Sequence, residues 1–291
     1  MNSRMIAAAV VALLALPAAA QAKAKPQYYV SLGDSYATGF QMLAAGKGEN
    51  TRNGFAYQIP KLAKDKGHKL KLVNFGCGGE TTVSLLERKT ECGGLGPGGE
   101  DYAGRTQIAA AEKFLRKHRG KVGLVTVSIG GNDVTSCARQ PDPIPCVAAA
   151  VGTIQTNVTE IAKRLRKAGG KKVRIVGTTY PDVILGQWVR QPVNQDLAKL
   201  SVTAFQQLIN PTLEKAYKAA GAKFVDVTTA TGAYTPLEQT VTDPVYGVIP
   251  VAVAKVCELS YYCEFGDIHA RTEGYKVIAE LVVGTLPERK R

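Results

Sequence analysis

Apolar, β-branched runs alternate with helical periodicity through most of this 291-residue chain, and few architectures accommodate that alternation. A strand that reads as a nearly continuous apolar run is buried on both faces. A helix between two such strands carries the chain back to the same edge of the sheet. The pattern therefore predicts an α/β fold with a parallel sheet covered on both sides. The strand candidates are Tyr28 to Leu32, Leu70 to Phe75, Val122 to Ser128, Val173 to Thr178 and Lys223 to Val227. The clearest helix carries Val147, Val151, Ile154, Val158, Ile161 and Leu165 on one stripe. Another is expected from Gln195 to Ile209, and Asn210-Pro211 reads as the cap and first-turn proline of a renewed helix ending near Gly221. Tyr275, Ile278 and Val282 mark a closing helix.

Two stretches break the alternation. Cys92 to Gly99 holds five glycines and a proline in eight residues and reads as a surface loop. Thr228 to Gly266 is long, carries Pro236, Pro244 and Pro250, and reads either as a flap over a site or as a structural excursion held by Cys257 and Cys263. With no internal repeat, a single domain over residues 23–291 is expected.

Residues 1–22 read as a signal peptide: Arg4, an apolar run from Met5 to Leu16, Pro17, and Ala20-Gln21-Ala22 before a cleavage point. No cysteine precedes Cys77, so a lipid anchor after the apolar run is not expected and the product should be extracellular. No later run approaches the ~18–20 apolar residues of a membrane-spanning helix. Six cysteines in an exported chain read as disulfides. They allow 15 connectivities, and their order suggests three local clips, Cys77 with Cys92, Cys137 with Cys146 and Cys257 with Cys263. The formal charge of +13 falls to +12 without the signal segment and favours anionic partners such as wall polymer or lipid headgroups. Lysines and arginines lie along helical stretches without aromatic interleaving, so a nucleic-acid partner is not expected.

In open parallel sheets, ligands bind beyond the carboxyl ends of the strands. The residues there are Gly33-Asp34-Ser35-Tyr36 after the first strand, Gly76-Cys77-Gly78-Gly79-Glu80-Thr81 after the second, and Gly130-Gly131-Asn132-Asp133 after the third. Asp267-Ile268-His269 precedes the last helix. A serine hydroxyl becomes a useful nucleophile when a base removes its proton, and the usual base is histidine. Of the three histidines, His68 lies in a lysine-flanked turn and His118 among cations, which leaves His269 beside Asp267. Donors for a developing oxyanion are also needed. The backbone of Gly79, the Asn132 amide and the N–H of Ser35 are the candidates.

In this order, Gly33-Asp34-Ser35, the block from Asn74 to Thr82, Gly130-Gly131-Asn132-Asp133, and Asp267-Ile268-His269 before Gly274-Tyr275 resemble the SGNH (GDSL) hydrolases. The four letters match Ser35, Gly79, Asn132 and His269. The resemblance runs over nearly the whole mature chain and is greatest to the secreted, disulfide-bearing actinobacterial-type esterases and lipases. It implies a three-layer α/β/α sandwich with a five-stranded parallel sheet, a flavodoxin-like arrangement. It also implies ester hydrolysis through an acyl-enzyme on Ser35, with His269 as base and Ser35, Gly79 and Asn132 as the oxyanion hole.

The usual family spacing is D-x-x-H, whereas Asp267 stands two positions before His269 and Gly266 occupies the third. Either Asp267 or a backbone carbonyl near Gly266 orients the imidazole, and Asp267 is the expectation. A monomer acting on a small-molecule or lipid ester, without cofactor or metal, is expected. An apolar groove could come from Val241, Val245, Tyr246, Val248 and Ile249, and an aromatic carbohydrate wall from Trp188, Tyr261 and Tyr262. The alternatives are an esterase on acetylated polysaccharide and a non-catalytic glycan-binding protein. The Gly76-Cys77-Gly78-Gly79 turn lacks the final glycine of G-x-G-x-x-G, and no G-x-S-x-G, phosphate-binding loop or H-E-x-x-H occurs to support another chemistry.

Overall fold

The computed structural model describes residues 26–102, 104–135, 137 and 140–289; the expected signal segment 1–22 lies outside them. Five strands, β1 (Gln27–Gly33), β2 (Leu70–Asn74), β3 (Val122–Ser128), β4 (Arg174–Thr178) and β5 (Lys223–Val225), form one parallel sheet in the order β2-β1-β3-β4-β5. The chain reverses direction of travel across the sheet after β2, which opens a crevice at the carboxyl ends of β1 and β3.

Alternate side chains of each strand enter different cores. Tyr29 of β1 packs with Phe55 and Ile59 of α1 (Phe55–Asp65) and with Tyr275, Ile278 and Val282 of the carboxy-terminal helix (Thr272–Gly284). Val30 and Leu32 face the other way, toward α2 (Gln107–Lys117), α3 (Pro143–Gly169) and a helix at Asn210–Ala219. Helices therefore cover both faces of the sheet. The α3 stripe read from the sequence is the buried one, with Ile154, Val158, Ile161 and Leu165 fully enclosed.

Asn210 does not cap a new helix. The helix α4 (Gln195–Ala204) runs through a π-helical turn, Phe205–Ile209, directly into α5 (Asn210–Ala219). Pro211 falls in the first turn of α5, and the Asn210 amide is turned inward, its nitrogen 2.8 Å from the Tyr234 hydroxyl and 3.0 Å from both Asp226 Oδ1 and Thr228 Oγ1.

The stretch 228–266 is more ordered than its prolines suggest. It holds a hairpin of Thr240–Asp243 and Gly247–Pro250, then α6 (Val251–Leu259) and a short helix at Tyr262–Phe265. Ala233, Ile249, Ala252, Val253 and Val256 build a small third core with Leu185. The helix α6 is apolar on nearly every side, so it lacks the periodicity that marks an amphipathic helix. The closing helix, α7 (Thr272–Gly284), follows directly on His269.

Disulfides join Cys77 to Cys92, Cys137 to Cys146 and Cys257 to Cys263. No helix among the described residues is long and apolar enough to cross a membrane.

Candidate active site

The backbone of β1 ends at Gly33, whose φ of +136° belongs to glycine; a Cβ there would stand 2.0 Å from the carbonyl oxygen of Ser128 on β3. The tight turn that follows starts a one-turn helix, Ser35–Thr38. Asp34 caps this helix, accepting the N–H of Tyr36 at 2.9 Å. Gln107 of α2 clamps the turn from below, accepting from the Gly33 N–H at 2.7 Å and donating to its carbonyl at 3.0 Å. Ser35 is thus the first residue of a helix anchored on two strands, and its own N–H has no intrahelical acceptor.

His269 comes from the far end of the chain. Its Nε2 lies 2.7 Å from Ser35 Oγ, and its Nδ1 lies 2.8 Å from Asp267 Oδ1, which also accepts the His269 backbone N–H at 2.9 Å. Two residues suffice for this contact because the same carboxylate oxygen meets both the backbone N–H and the ring nitrogen of His269. Burial alone would raise the Asp267 carboxyl, but hydrogen bonding to His269 and its charge outweigh burial and hold it below the ordinary carboxylate range. The ring is further fixed by Phe40 and Tyr36, with centroids at 4.5 and 5.8 Å. Tyr36 Oη donates to the carbonyl of Ile268 at 2.6 Å, and the N–H of Tyr261 donates to the His269 carbonyl at 3.0 Å. An antiparallel bridge between Ser260 and Ala270, beside the Cys257–Cys263 clip, completes the support.

Gly79 lies in a left-handed turn, φ +74°, after β2, and its N–H makes no internal hydrogen bond among the described residues. Asn132 begins the segment after β3 and donates one amide N–H to the Glu80 carbonyl at 2.8 Å, which leaves the second N–H clear of that bond. Asp133 ties the two turns together, accepting from the Thr82 N–H at 2.9 Å and from its hydroxyl at 2.6 Å. Beneath them the buried Glu80 carboxylate meets Arg88. The residues expected from the sequence, Ser35, Gly79, Asn132, Asp267 and His269, all lie at the carboxyl end of the sheet.

A layer behind the serine was not foreseen. Tyr180, just after β4, donates to Asp34 Oδ2 at 2.5 Å and stacks edge-on against Tyr36. Burial pushes Asp34 up to about 6, with the bonds from Tyr180 and Tyr36 pulling the other way. Asp182 is fully buried, accepts from Ser201 at 2.8 Å, and is pushed by burial up to about 7. Applying the strand-end rule to β4 as well as to the first three strands would have pointed to Thr178-Thr179-Tyr180-Pro181-Asp182.

A cleft of about 1020 Å³, counting the part open to solvent, runs from Ser35 and Asn132 between α3, the 3₁₀ helix Val183–Trp188 and α4. Its walls include Ile144, Val147, Ile184, Leu197, Leu200 and Phe205. The groove expected from Val241, Val245 and Val248 is elsewhere: those side chains stand exposed on the hairpin and do not line this cleft. Nor do the expected aromatic walls. Trp188 packs beneath Lys199, Tyr261 beneath Arg271, and Tyr262 is buried against Gln187. His68 is likewise enclosed rather than solvated, 2.8 Å from the Pro287 carbonyl. No group of three or more histidine, cysteine or carboxylate side chains able to hold a metal ion occurs among the described residues.

The GDSL-like Lipase/Acylhydrolase family matches residues 31–277. Among solved structures, the chain is similar to phospholipase A1 from Streptomyces albidoflavus NA297, at 16% identity over 89% of this chain and 99% of that one, with a TM-score of 0.56. It is also similar to an extracellular lipase from Streptomyces rimosus, at 18% identity over 88% and 99%, with a TM-score of 0.50. At such identities the likeness is one of fold. Compared by sequence with curated proteins, the chain has no significant match.

Proposed function

The chain belongs to the GDSL-like lipase/acylhydrolase family, a family of ester hydrolases, and from that premise we propose that it is an extracellular esterase or lipase that cleaves esters of apolar acyl groups through an acyl-enzyme on Ser35. The observation that carries the reading is the 2.7 Å contact between Ser35 Oγ and His269 Nε2 at the mouth of an apolar cleft.

His269 takes the hydroxyl proton on Nε2 as Ser35 Oγ bonds to the ester carbonyl carbon. The negative charge moves to the carbonyl oxygen, where the N–H groups of Ser35 and Gly79 and the free amide N–H of Asn132 receive it. Asp267 holds the imidazole with Nε2 toward the serine and stabilises the imidazolium. Collapse breaks the bond to the alcohol oxygen, which leaves with the proton from His269. Water then gives a proton to His269 and its oxygen to the acyl carbon, and Ser35 regains its hydrogen as the acid departs.

The cleft favours acyl chains because its walls are aliphatic and aromatic, so each methylene that enters it contributes roughly 0.8 kcal/mol. The three disulfides support an extracellular location, since such bonds persist in oxidising compartments.

The test is hydrolysis of p-nitrophenyl esters from acetate to palmitate by the mature protein and by Ser35→Ala. Activity that rises from acetate toward longer chains and is abolished in the variant is the expected result. Activity confined to acetate would overturn the acyl-cleft assignment, and near-normal turnover by Ser35→Ala would overturn the site.

A further inference from the structure

The charge of this molecule is concentrated at one end. Residues 113–121, 163–174 and 215–223 contain 15 lysines and arginines and no acidic residue, out of 37 basic and 24 acidic residues in the chain. The rest of the sequence, with 22 basic against 24 acidic, is close to neutral. These three segments are the ones that lead into β3, β4 and β5, so they lie at the amino end of the sheet. Ser35, Gly79 and Asn132 follow the carboxyl ends. Seven residues of strand separate the two, about 20 Å at the usual rise.

The three segments form one surface. Arg119 of the first donates to the Lys167 carbonyl of the second at 2.9 Å, and Arg166 of the second donates to the Gly221 carbonyl of the third at 2.9 Å. Arg116 and Arg164 pair with Glu112, and Arg119 and Arg166 are used in closing the backbone at the helix ends. The lysines are not: Lys117, Lys121, Lys167, Lys171, Lys172, Lys218 and Lys223 are all exposed. Among the described residues only Lys218 of these forms an ion pair, with Glu214.

Helix dipoles account for part of the pattern, because cations in a last turn interact favourably with the helix carboxyl end. They do not account for Lys121, Lys171, Lys172 and Lys223, which stand beyond the helix ends. Gathering like charges there raises their mutual repulsion, which an anionic partner relieves.

We propose that this amino-end face is a docking surface for a linear, phosphate-bearing polyanion that tethers the enzyme with its active site directed away from the polymer. The chemistry narrows the partner. Lysine ammonium groups act as point charges that tolerate irregular phosphate spacing. The rings in these segments, Phe114 and Tyr217, and the adjoining Phe224 are half-buried or buried, so no aromatic platform is offered to bases. The large exposed hydrophobics, Leu43, Val83, Val193, Val241, Val245 and Val248, all lie outside the three segments, so this face has no apolar group to enter a bilayer.

The test compares wild type with a variant carrying Lys121→Glu, Lys171→Glu, Lys172→Glu and Lys223→Glu. A control carries Lys47→Glu, Lys89→Glu, Arg105→Glu and Lys276→Glu, an equal change in net charge on other exposed positions. Binding to inorganic polyphosphate is read by sedimentation or anisotropy at 50 and 200 mM salt, with p-nitrophenyl butyrate hydrolysis and circular dichroism alongside. Glutamine versions of the same four positions serve if the glutamate variant fails to fold. The expected result is binding that weakens at least tenfold between the two salts, weakens at least tenfold in the amino-end variant, and is largely kept in the control. Ester hydrolysis is unchanged in the variant and in the presence of polyphosphate. Absent binding by wild type, equal loss in the control, or tighter binding to phosphatidylcholine vesicles with 30% phosphatidylglycerol or to an oligonucleotide would overturn the proposal.

Discussion

The two halves of the proposed catalytic centre are built by different means. The nucleophile half consists of three turns at the ends of β1, β2 and β3, fixed by the sheet and by a few close backbone approaches such as Gly33 against Ser128. The base half, Asp267 to His269, belongs to no strand of the sheet. It is held by the Cys257–Cys263 clip, the Ser260–Ala270 bridge, the Tyr36 hydroxyl on the Ile268 carbonyl, and a small core of its own around Val253 and Val256. A sheet of this kind supplies donors and a nucleophile almost by topology, whereas placing the base requires a dedicated piece of structure. The base half should therefore be the part that fails first.

The largest effects fall on the contact between the halves. His269→Ala should lower kcat by roughly 10⁴-fold or more, and Asp267→Asn by roughly 10²–10⁴, with the fold unchanged by circular dichroism. If Asp267→Asn were nearly as active as wild type, the backbone rather than the carboxylate would orient the imidazole. On the nucleophile side, Asn132→Ala should lower kcat by roughly 10²–10³ with little change in KM; steady-state kinetics that moved KM alone would remove Asn132 from the oxyanion hole.

Replacing Cys257 and Cys263 together by serine should reduce stability by roughly 2 kcal/mol or more. The comparison predicts that activity in this double variant disappears on heating before the far-UV signal of the sheet does. Loss of both at one temperature would show that the base half has no separate stability.

The smallest effect concerns the buried carboxyl beneath the cleft. Asp182 titrates near 7 in the folded protein against an ordinary value near 3.8, so the native state binds a proton that the unfolded chain has released. Stability contributed by the neutral form is complete below the lower value and declines as pH rises toward 7. Asp182→Asn should flatten that decline in a series of thermal melts from pH 4 to pH 8. An unchanged slope would mean that Asp182 titrates normally.

Much of this was legible in the chain. The five strands could be read because each is rich in apolar and β-branched residues, and the strand-end rule then led to Ser35, Gly79 and Asn132. His269 followed by elimination among three histidines. The layer beneath the serine was harder, because Tyr180 and Asp182 act through contacts with Asp34 and Ser201 that are distant in sequence. The segment 228–266 was hidden for another reason: α6 is apolar nearly all round and the hairpin is short, so neither periodicity rises above its prolines. The cleft was misplaced because it forms between α3 and α4, elements whose separation no local pattern encodes.

The most direct test of the account is covalent labelling by diethyl p-nitrophenyl phosphate, read by intact mass and peptide mapping. A single phosphoryl adduct on Ser35 in wild type, absent in Ser35→Ala and formed far more slowly in His269→Ala, is the predicted result. An adduct on another residue, or equal labelling rates in wild type and His269→Ala, would contradict the assignment of Ser35 as a nucleophile activated by His269.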